Sequence, residues 1–338
     1  MSDLRFDPVS NQWVAFARNR QERPMEFIPL EQIRQQLMCP FCIGNEDETP
    51  PHTALYRQDG SQVGPQDEME QWTVRVVPNK YPSFRAINFD RDEKPVSVSA
   101  TGPYQAVSRP GVQELIIPTP RHVTSISELN EAELLVSFRA YQDRMRYLES
   151  IESIKHAMLF MNCRSSAGAS LSHIHTQLIG SPIISDQLLG RTQRNEQHVL
   201  EHGKPLLESL ANWESQQQVR MVFQSDHFFV FCPFASRFPF QIWIVPKHSQ
   251  RKFVDCPNQM RDELARNCRW LIAQIEELLE SPGYNLLLHQ APFSLAANDH
   301  WYFEILPRLT RPAGFEWGTD IWVNPVAPET AAKRLRLK

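Results

Sequence analysis

The sequence predicts an α+β protein of two tandem domains, each made of an antiparallel sheet with helices packed on it. The main observation is an internal repeat, in which the order strand, helix, strand, strand occurs twice. Histidines bracket both copies. His122 and His173 bracket the first, His248 and His300 bracket the second, and the two separations differ by one residue.

Hydrophobic periodicity and helix-start signals define the repeated elements. The first copy is predicted to contain, in order, a strand segment at 112–122, a helix over about 127–149, and strands over 157–162 and 172–179. The second is predicted to contain a strand segment at 240–248, a helix over about 257–280, and strand segments at 284–289 and 300–307. Before the repeat, alternation predicts a hairpin over 4–17 and a strand over 72–77. We therefore expect one domain over residues 1–185 and a second over 186–338.

Composition excludes several classes of protein. The chain of 338 residues is 41% hydrophobic and 22% charged, which is ordinary for a globular protein. Its net charge of −4 provides no basic field, so no nucleic-acid partner is expected. No apolar run has the length of a transmembrane helix, and residues 1–6 lack signal-peptide features. We therefore expect no membrane association. The six cysteines do not have the spacing of a disulfide framework, so we expect a reducing, cytoplasmic location.

The stretch from Asn162 to Gln177 is the first candidate for chemistry. If residues 172–179 are extended, His173, His175 and Gln177 share one face of the strand. The preceding Gly168, Ala169 and Ser170 have little bulk, so a phosphate could approach their backbone closely. Two such histidines are also compatible with a metal pair or with a solvated polar face.

Cys39 and Cys42 form a CxxC pair, a spacing that lets two thiolates bind one zinc ion. A redox pair is the alternative, but no βαβ pattern surrounds it. The other two ligands must be histidine or carboxylate. The repeat favours His122 and His173, because they bracket one folding unit, and His52 is the alternative.

If His173 binds the metal, His175 remains as a neutral imidazole near pH 7. A neutral imidazole is a good nucleophile toward phosphorus, and the resulting phosphoramidate is a good donor. Gln177 and Ser170 are predicted to hydrogen-bond the phosphate oxygens. These residues indicate covalent histidine catalysis of phosphoryl or nucleotidyl transfer.

Two further segments are candidates for phosphate or nucleotide contacts. Arg20 and Arg23 follow the N-terminal hairpin and are able to clamp phosphates, although a solvated basic loop is equally consistent with the composition. Asn79 follows the strand over 72–77 and is able to contact a base or sugar, or to cap a turn.

The chain resembles the galactose-1-phosphate uridylyltransferase branch of the histidine-triad superfamily, nearly from end to end. The residues that match this family are Arg5-Phe6-Asp7-Pro8, Trp13-Val14, Arg20 to Pro24, Cys39-Pro40-Phe41-Cys42, Val77 to Pro82, Asn162, Gly168-Ala169-Ser170, His173 to Gln177, Gly314-Phe315-Glu316 and Asn324-Pro325-Val326.

The resemblance implies two histidine-triad-like domains, usually assembled as a homodimer. It implies that His175 takes a nucleoside monophosphate from a nucleotide sugar and passes it to a sugar 1-phosphate. It implies a structural Zn²⁺ site at Cys39, Cys42, His122 and His173. The residues expected to line the nucleotide and phosphates are Arg20, Arg23, Asn79, Asn162, Ser170 and Gln177. Phe315 and Glu316 match residues that hold the hexose, contributed in this family by the partner subunit.

The chain also departs from the family pattern. Ile174 replaces a proline between the two histidines, and Trp322 occupies the position of a glutamine that clamps the hexose phosphate. Some members carry a second metal site, but Glu304 and Leu306 replace its histidines, so we do not expect that site here. The segment 313–319 is closer to the related ADP-glucose phosphorylases, which use inorganic phosphate as acceptor.

Four functions follow from these observations. The first is a UDP-glucose–hexose-1-phosphate uridylyltransferase of galactose metabolism, and the second is a nucleotide-sugar phosphorylase with the same covalent mechanism. A histidine-triad hydrolase is disfavoured, because Gln177 stands where that class has a third histidine. A zinc-stabilised nucleotide-binding module without catalysis predicts that His175 is dispensable.

Overall fold

The computed structural model describes residues 3–16, 38–63, 72–84, 98–101, 104–107, 111–295 and 299–337. The predicted phosphate ligands Arg20 and Arg23 lie outside these residues. The strands are β1 (Asp3–Asp7), β2 (Gln12–Phe16), β3 (Ala54–Tyr56), β4 (Gln62–Val63), β5 (Val74–Pro78), β6 (Val98–Thr101), β7 (Tyr104–Val107), β8 (Val112–Ile117), β9 (His156–Cys163), β10 (Thr176–Ser181), β11 (Met221–Gln224), β12 (Phe228–Phe231), β13 (Ile242–Pro246), β14 (Tyr284–His289), β15 (Tyr302–Pro307) and β16 (Ile321–Asn324).

Six helices accompany these strands in the described part of the chain. They are α1 (Glu131–Glu149), α2 (Asp186–His202), α3 (Leu206–Gln217), α4 (Asn258–Leu278), α5 (Gly314–Thr319) and α6 (Pro328–Arg336). None of these described helices has both the length and the apolar composition needed to cross a membrane.

A single sheet of eleven antiparallel strands organises the protein. Its order is β11-β12-β13-β15-β14-β9-β10-β8-β5-β3-β4. Read outward from the central pair of β9 and β14, the order β9-β10-β8-β5 on one side corresponds to β14-β15-β13-β12 on the other. The two copies of the repeat are therefore related by an approximate two-fold axis between β9 and β14. The predicted α+β class and the duplicated unit are both confirmed.

Helix α1 begins four residues later than the predicted start at Ser127. Ser125 accepts a hydrogen bond from the backbone of Ser127, and a short 3-10 turn follows at Ile126–Glu128. Asn130 then caps α1, and its backbone N–H is bound in return by Glu133. Ser127 therefore caps neither element and lies inside the 3-10 turn, and the capping box at Asn130 marks the start of the helix.

The prediction of one continuous strand over 172–179 is wrong at its start, because β10 begins at Thr176. The Ile174 N–H donates to the Val123 carbonyl at 2.9 Å, which draws the chain out of the sheet before the strand begins. His173 and His175 therefore lie in the bend leading into β10. Their positions are set by this bend and not by strand alternation.

The two faces of the sheet have different roles. Helices α1 and α4 pack together and against one face, where they bury the alternate apolar side chains of β9, β10, β14 and β15. On the other face, the second half is covered by α3 through Leu207 and Ala211. In the first half, that face is covered by the Cys39–Cys42 turn, which packs against β3, β5 and β8. The polar side chains of the repeated strands therefore lie on the second face, between α3 and the Cys39–Cys42 turn.

A three-stranded sheet, β1-β2-β16, joins the two ends of the chain. Strand β16 pairs with β2 in parallel, from Ile321 opposite Trp13 to Asn324 opposite Phe16. Arg5 reinforces this contact, since its guanidinium donates to Glu329 at 2.8 Å. The N-terminal hairpin, predicted as part of residues 1–185, thus packs against the C-terminal end of the chain.

A buried ion pair provides a stability prediction for the first half. Arg144 of α1 donates to both carboxylate oxygens of Glu114 at 2.7 and 2.8 Å, and both side chains are buried. Arg144→Met leaves the Glu114 charge without its counter-ion, so we expect the free energy of unfolding to fall by about 3 kcal/mol. Thr53 still donates to Glu114 in this variant, and the remaining hydrogen bond limits the loss of stability.

Urea denaturation of the Arg144→Met variant measures this loss. The matched control is Arg139→Met on the same helix, whose ion pair with Asp143 spans 3.8 Å and is largely exposed. That control should change the free energy of unfolding by no more than about 0.5 kcal/mol. Equal losses in the two variants would contradict a specific role for the buried pair.

Candidate active site and metal centre

The Cys39–Cys42 turn is held by hydrogen bonds that leave both sulfurs free. The Cys42 N–H donates to the Cys39 carbonyl at 3.3 Å, and the Asn45 side chain donates to the same carbonyl at 2.9 Å. From β5, the buried Arg75 donates to the Pro40 carbonyl inside the turn at 3.2 Å. Ile43 N–H donates to the Pro120 carbonyl at 3.1 Å, which ties the turn to the segment carrying His122.

The structure brings Cys39, Cys42, His122 and His173 together, with their four ligand atoms all within 4.8 Å of one another. Cys39 Sγ lies 3.5 Å from His173 Nδ1, and Cys42 Sγ lies 3.4 Å from His122 Nδ1 and 3.6 Å from His173 Nδ1. Tetrahedral bonds of about 2.0–2.3 Å place ligand atoms roughly 3.5 Å apart. The cluster therefore has the dimensions of a site that could hold a metal ion.

The electrostatics of the cluster also fit a cation. Burial and the neighbouring Cys39 raise the pKa of Cys42 to about 11, so a positive charge beside it would favour its thiolate. Burial, followed by the proximity of His122, lowers the pKa of His173 to about 4 and keeps this imidazole neutral. Two cysteine sulfurs and two imidazole nitrogens are a donor set that a tetrahedral metal site uses.

Both histidines of the cluster are oriented by their second ring nitrogen. His173 Nε2 donates to the Thr119 carbonyl at 3.1 Å, and His122 Nε2 lies 3.1 Å from Ser172 Oγ. Such outer contacts fix the ring so that Nδ1 faces the metal position. His52, the alternative ligand considered from the sequence, is not part of the cluster.

His175 is held in one tautomer by the backbone beside it. Its Nδ1 lies 3.0 Å from the His173 carbonyl oxygen. A carbonyl oxygen can only accept a hydrogen bond, so Nδ1 carries the proton and Nε2 keeps its lone pair. The imidazole of His175 is therefore preorganised as a nucleophile at Nε2.

The surroundings of His175 keep its ring neutral and in place. The side chain is 5% exposed, and this burial lowers the pKa of His175. The Phe41 ring, inside the Cys39–Cys42 turn, packs edge-on against both His175 and His173, with centroids 5.1 and 5.9 Å apart. On the helix side of the sheet, Tyr141 bonds Thr176 at 2.7 Å and anchors the first residue of β10.

Gln177 is oriented by a residue that the sequence analysis did not single out. Gln113 of β8 donates through Nε2 to Gln177 Oε1 at 3.3 Å, and its own oxygen accepts the Ser83 N–H at 2.7 Å. Because Gln177 Oε1 is used in this way, its NH₂ group is available to donate to an anion. The two amides give Gln177 a defined direction within the site.

The small-residue loop before His173 uses two of its backbone amides internally. A 3-10 turn spans Ser165–Ala167 and ends at Gly168, whose φ of 89° is in the left-handed region. The Gly168 and Ala169 N–H groups donate to the carbonyls of Ser165 and Arg164 at 2.9 and 3.1 Å. These two amides are therefore engaged inside the loop, and close approach of a ligand here depends on small size rather than on N–H donors.

Asn162 is the next-to-last residue of β9, beside this loop. Its Oδ1 accepts a hydrogen bond from Asn285 at 2.8 Å. A Cβ added to Gly168 would lie 3.7 Å from Asn162 Nδ2, so the amide nitrogen faces the loop. The structure thus brings Asn162 next to Gly168, as expected of residues that share a ligand.

Asn79 and the two predicted hexose-binding residues lie outside the segment from Asn162 to Gln177. The Asn79 side chain accepts the Tyr81 N–H at 2.8 Å, so it caps a turn, while its backbone N–H donates to the Gln113 carbonyl. Phe315 and Glu316 lie on α5, which packs against β16. Phe315 is 53% exposed, whereas Glu316 is buried and accepts the Ala313 N–H at 3.0 Å.

The second repeat keeps the shape of the site without its nucleophile. His300 Nε2 donates to the Pro246 carbonyl at 2.8 Å, as His173 does to Thr119. Tyr302 occupies the position of His175, and burial raises its pKa well above the usual range, so it stays protonated. Burial opposes ionisation of Glu304, but Arg237 and His289 outweigh it and lower the pKa of Glu304 to about 2. At the position of His175, this half therefore carries a protonated phenol and not an imidazole.

Three residues of the first site were missed from sequence: Phe41, Gln113 and Asn285. Strand alternation in β8 was a usable signal for Gln113, because it puts this residue on the same face as Leu115 and Ile117. Phe41 lies inside the CxxC pair and was visible as a neighbour of the ligands. No sequence signal connects Asn285 with Asn162, because their contact depends on the pairing of β9 with β14.

Comparison with known proteins agrees with this geometry. A family model described as the C-terminal domain of galactose-1-phosphate uridyl transferase matches residues 191–316. An ADP-glucose phosphorylase of Arabidopsis thaliana is 30% identical over 341 residues, which cover 99% of this chain and 92% of that protein. A galactose-1-phosphate uridylyltransferase of Thermotoga maritima is 28% identical over 349 residues, which cover 99% of this chain and 98% of that protein.

Solved structures show the same similarity. The crystal structure of the Arabidopsis thaliana ADP-glucose phosphorylase with bound ADP-glucose superposes with a TM-score of 0.82 at 29% identity, and the match covers 99% of both chains. Identity of 30% over nearly the whole length, together with the family-model match, is enough to assign the family. The chain belongs to the galactose-1-phosphate uridylyltransferase family and is a nucleotidyltransferase.

Proposed function

We propose that the chain moves a nucleoside monophosphate from a nucleotide sugar to a hexose 1-phosphate through a covalent intermediate on His175. The observation that carries this proposal is the hydrogen bond from His175 Nδ1 to the His173 carbonyl, which leaves Nε2 as a fixed, unprotonated nucleophile. The bend before β10 supplies that carbonyl, so the fold itself sets the tautomer.

The two steps balance without proton transfer. In the first, Nε2 attacks the α-phosphorus, an N–P bond forms, and the bond from phosphorus to the bridging oxygen breaks. The sugar 1-phosphate leaves with that electron pair as an anion. In the second, an oxygen of the acceptor phosphate attacks phosphorus and the N–P bond returns its electrons to Nε2. The proton stays on His175 Nδ1 throughout, hydrogen-bonded to the His173 carbonyl.

The remaining residues are assigned supporting roles. Gln177, whose NH₂ group is turned outward by Gln113, donates to a non-bridging oxygen of the transferred phosphate. Asn162, Gly168, Ala169, Ser170, Asn79, Arg20 and Arg23 are proposed to line the nucleotide and phosphates. Phe315 and Glu316 are proposed to hold the hexose of the neighbouring subunit in a homodimer, and we assign the protein to the cytoplasm.

We assign the cysteine–histidine cluster to a structural Zn²⁺ ion. Two thiolates and two imidazoles are a closed tetrahedral donor set, and separations of 3.4–3.6 Å between ligand atoms suit zinc bond lengths. All four positions are taken by protein, so the ion is proposed to hold His173 and the bend in place. Catalysis is left to His175.

A second candidate reaction is phosphorolysis of ADP-glucose, with inorganic phosphate as the acceptor. Two specific observations favour it: the relative that is 30% identical is named an ADP-glucose phosphorylase, and its solved structure contains ADP-glucose. In this chain, Trp322 packs 5.3 Å from Phe238 and under Arg237, and is not a polar clamp for a hexose phosphate. The chemistry at His175 is the same for both acceptors.

Intact-mass spectrometry tests the reaction and names the donor. The protein is mixed with UDP-glucose, and separately with ADP-glucose, without an acceptor. We expect a mass increase of one UMP or one AMP, because the first half-reaction is complete before the acceptor binds. The adduct should disappear when galactose 1-phosphate or inorganic phosphate is added, and the effective acceptor distinguishes the two reactions. If neither UDP-glucose nor ADP-glucose forms an adduct, the covalent mechanism is contradicted.

A further inference from the structure

The second repeat contributes a residue to the catalytic face of the first. Asn285 of β14 lies directly opposite Asn162 of β9 in the central sheet. It is 6% exposed and belongs to the half that lacks the nucleophile. Its side chain shares the face of the sheet that carries Asn162.

The hydrogen bonds of Asn285 determine where its side-chain oxygen and its NH₂ group lie. Arg308 Nε donates to Asn285 Oδ1 at 2.5 Å, and a guanidinium is only a donor. Asn285 Nδ2 must therefore face the other way. There it donates to Asn162 Oδ1 at 2.8 Å and to the Ala167 carbonyl at 2.9 Å. The hydrogen bond from Arg308 thus fixes the orientation of the Asn285 amide.

This arrangement fixes the orientation of Asn162 in turn. Its oxygen is occupied by Asn285, so its Nδ2 group is directed to the other side, toward Gly168. In the described part of the chain, no protein acceptor binds that Nδ2 group. Asn162 therefore presents two N–H donors, and no acceptor, beside the loop through which a phosphate would approach.

The loop itself is held by the same half of the protein. Arg164 donates to the Pro282 carbonyl at 2.8 Å and forms an ion pair with Glu276 at 2.9 Å. Gly283 lies so close to the loop that an added Cβ would be 2.1 Å from Ser166 Oγ. The segment from Pro282 to Asn285 is therefore in direct contact with the loop that precedes the catalytic histidine.

We propose that Asn285 and Arg308 are positioning residues for nucleotidyl transfer, which orient the Asn162 amide so that its N–H donors face the transferred phosphate. This inference rests on the proposed function of His175. It gives the second repeat a defined task, because an aligned chain of Arg308, Asn285 and Asn162 runs from that half into the active site. Neither positioning residue touches the substrate.

Asn285→Asp is the sharpest test, because it changes one NH₂ group into an oxygen without changing size. The new carboxylate keeps Arg308 as an ion-pair partner, but it cannot donate to Asn162. The Asn162 amide then turns to give its own N–H to Asp, and its oxygen faces the phosphate. We expect kcat/KM to fall by about 10- to 100-fold, the size of a lost hydrogen bond to a charged group.

A double-mutant cycle separates positioning from general damage. Asn162→Ala should cause a similar loss, and Asn285→Asp combined with Asn162→Ala should be no worse than Asn162→Ala alone, because the two residues act through one group. The matched control is Asn267→Asp in the same half, whose side chain donates to Ser225 at 3.0 Å far from the site. It should leave kcat/KM unchanged.

The outcomes are distinguishable from failure of the proposed function. If the wild-type protein forms no nucleotidyl adduct, the proposed function fails. If it does, and Asn285→Asp turns over like wild type, or its loss adds fully to that of Asn162→Ala, the positioning proposal is wrong. Should Asn285→Asp not fold, Arg308→Met decides instead. It removes the guanidinium that binds the Asn285 oxygen, together with its contact to the Phe238 ring, and frees the Asn285 amide to rotate, so a several-fold loss is expected and no loss overturns the proposal.

Discussion

His175→Ala is expected to abolish formation of the nucleotidyl adduct and to lower turnover by at least about 10³-fold. The substitution removes the imidazole whose Nε2 lone pair is fixed by the hydrogen bond from Nδ1 to the His173 carbonyl, and Gln177 cannot replace it because an amide nitrogen is not nucleophilic. His175 is not a member of the cysteine–histidine cluster, so the cluster remains intact. The variant should be folded, with a modest loss of stability from the small cavity beside Phe41.

The measurement combines intact mass with steady-state turnover on the donor that labels the wild type. His202→Ala is the matched control, because His202 is an exposed histidine on α2, and it should retain full activity. A His175→Ala protein that still gains a nucleoside monophosphate would place the nucleophile elsewhere. Full turnover in that protein without an adduct would instead indicate direct transfer between substrates. A purely nucleotide-binding module predicts no difference between the variant and the wild type.

Much of the fold follows from the sequence because the repeat is local. Each copy is a strand, a helix and two strands joined by short connections, so periodicity and the matching positions of His122 and His248 are sufficient to find it. The cysteine–histidine cluster was also accessible, because the CxxC spacing of Cys39 and Cys42 indicates a metal site and His122 and His173 bracket one copy of the repeat. Those features depend on contacts within one half of the molecule.

Contacts between the halves were not accessible from sequence. Asn285 meets Asn162 only because β14 and β9 pair at the centre of the sheet, and nothing in either strand specifies that partner. The parallel pairing of β16 with β2 likewise joins the two ends of the chain. Such pairings are decided by the packing of whole sheets and not by local propensity.

Hydrogen bonding also decided the fine structure of the site. The small size of Gly168 and Ala169 predicts that a phosphate can approach their backbone closely, and the structure adds that their amides donate to the carbonyls of Ser165 and Arg164. The face shared by His173 and His175 was predicted from strand alternation, whereas a bend fixed by Ile174 and Val123 positions both rings. The composition of a loop indicates where a ligand can approach. The backbone hydrogen bonds of the folded chain determine which N–H groups remain available to that ligand.

Cys39→Ser is expected to remove the metal ion and to lower the free energy of unfolding by about 5 kcal/mol or more. Structural zinc contributes about 10–16 kcal/mol of binding free energy in small domains, and serine is a poor ligand for it. Without the ion, the Cys39–Cys42 turn loses its connection to His122 and His173, and the pocket around Phe41 opens. Metal content by mass spectrometry and the urea midpoint should therefore fall together. Cys256→Ser is the matched control, since this buried thiol lies outside the cluster and should leave metal content unchanged.

Loss of the ion should also lower activity, although no ligand of the cluster acts on the substrate. The His173 carbonyl holds the Nδ1 proton of His175, so displacement of His173 releases the catalytic ring from its tautomer and its position. Chelation of the wild-type protein should then reduce the rate of adduct formation and the urea midpoint together, and added Zn²⁺ should restore both. If chelation removes the metal and stability falls while the rate of adduct formation is unchanged, the orientation of His175 does not depend on His173. Retention of zinc by Cys39→Ser would overturn the ligand assignment itself.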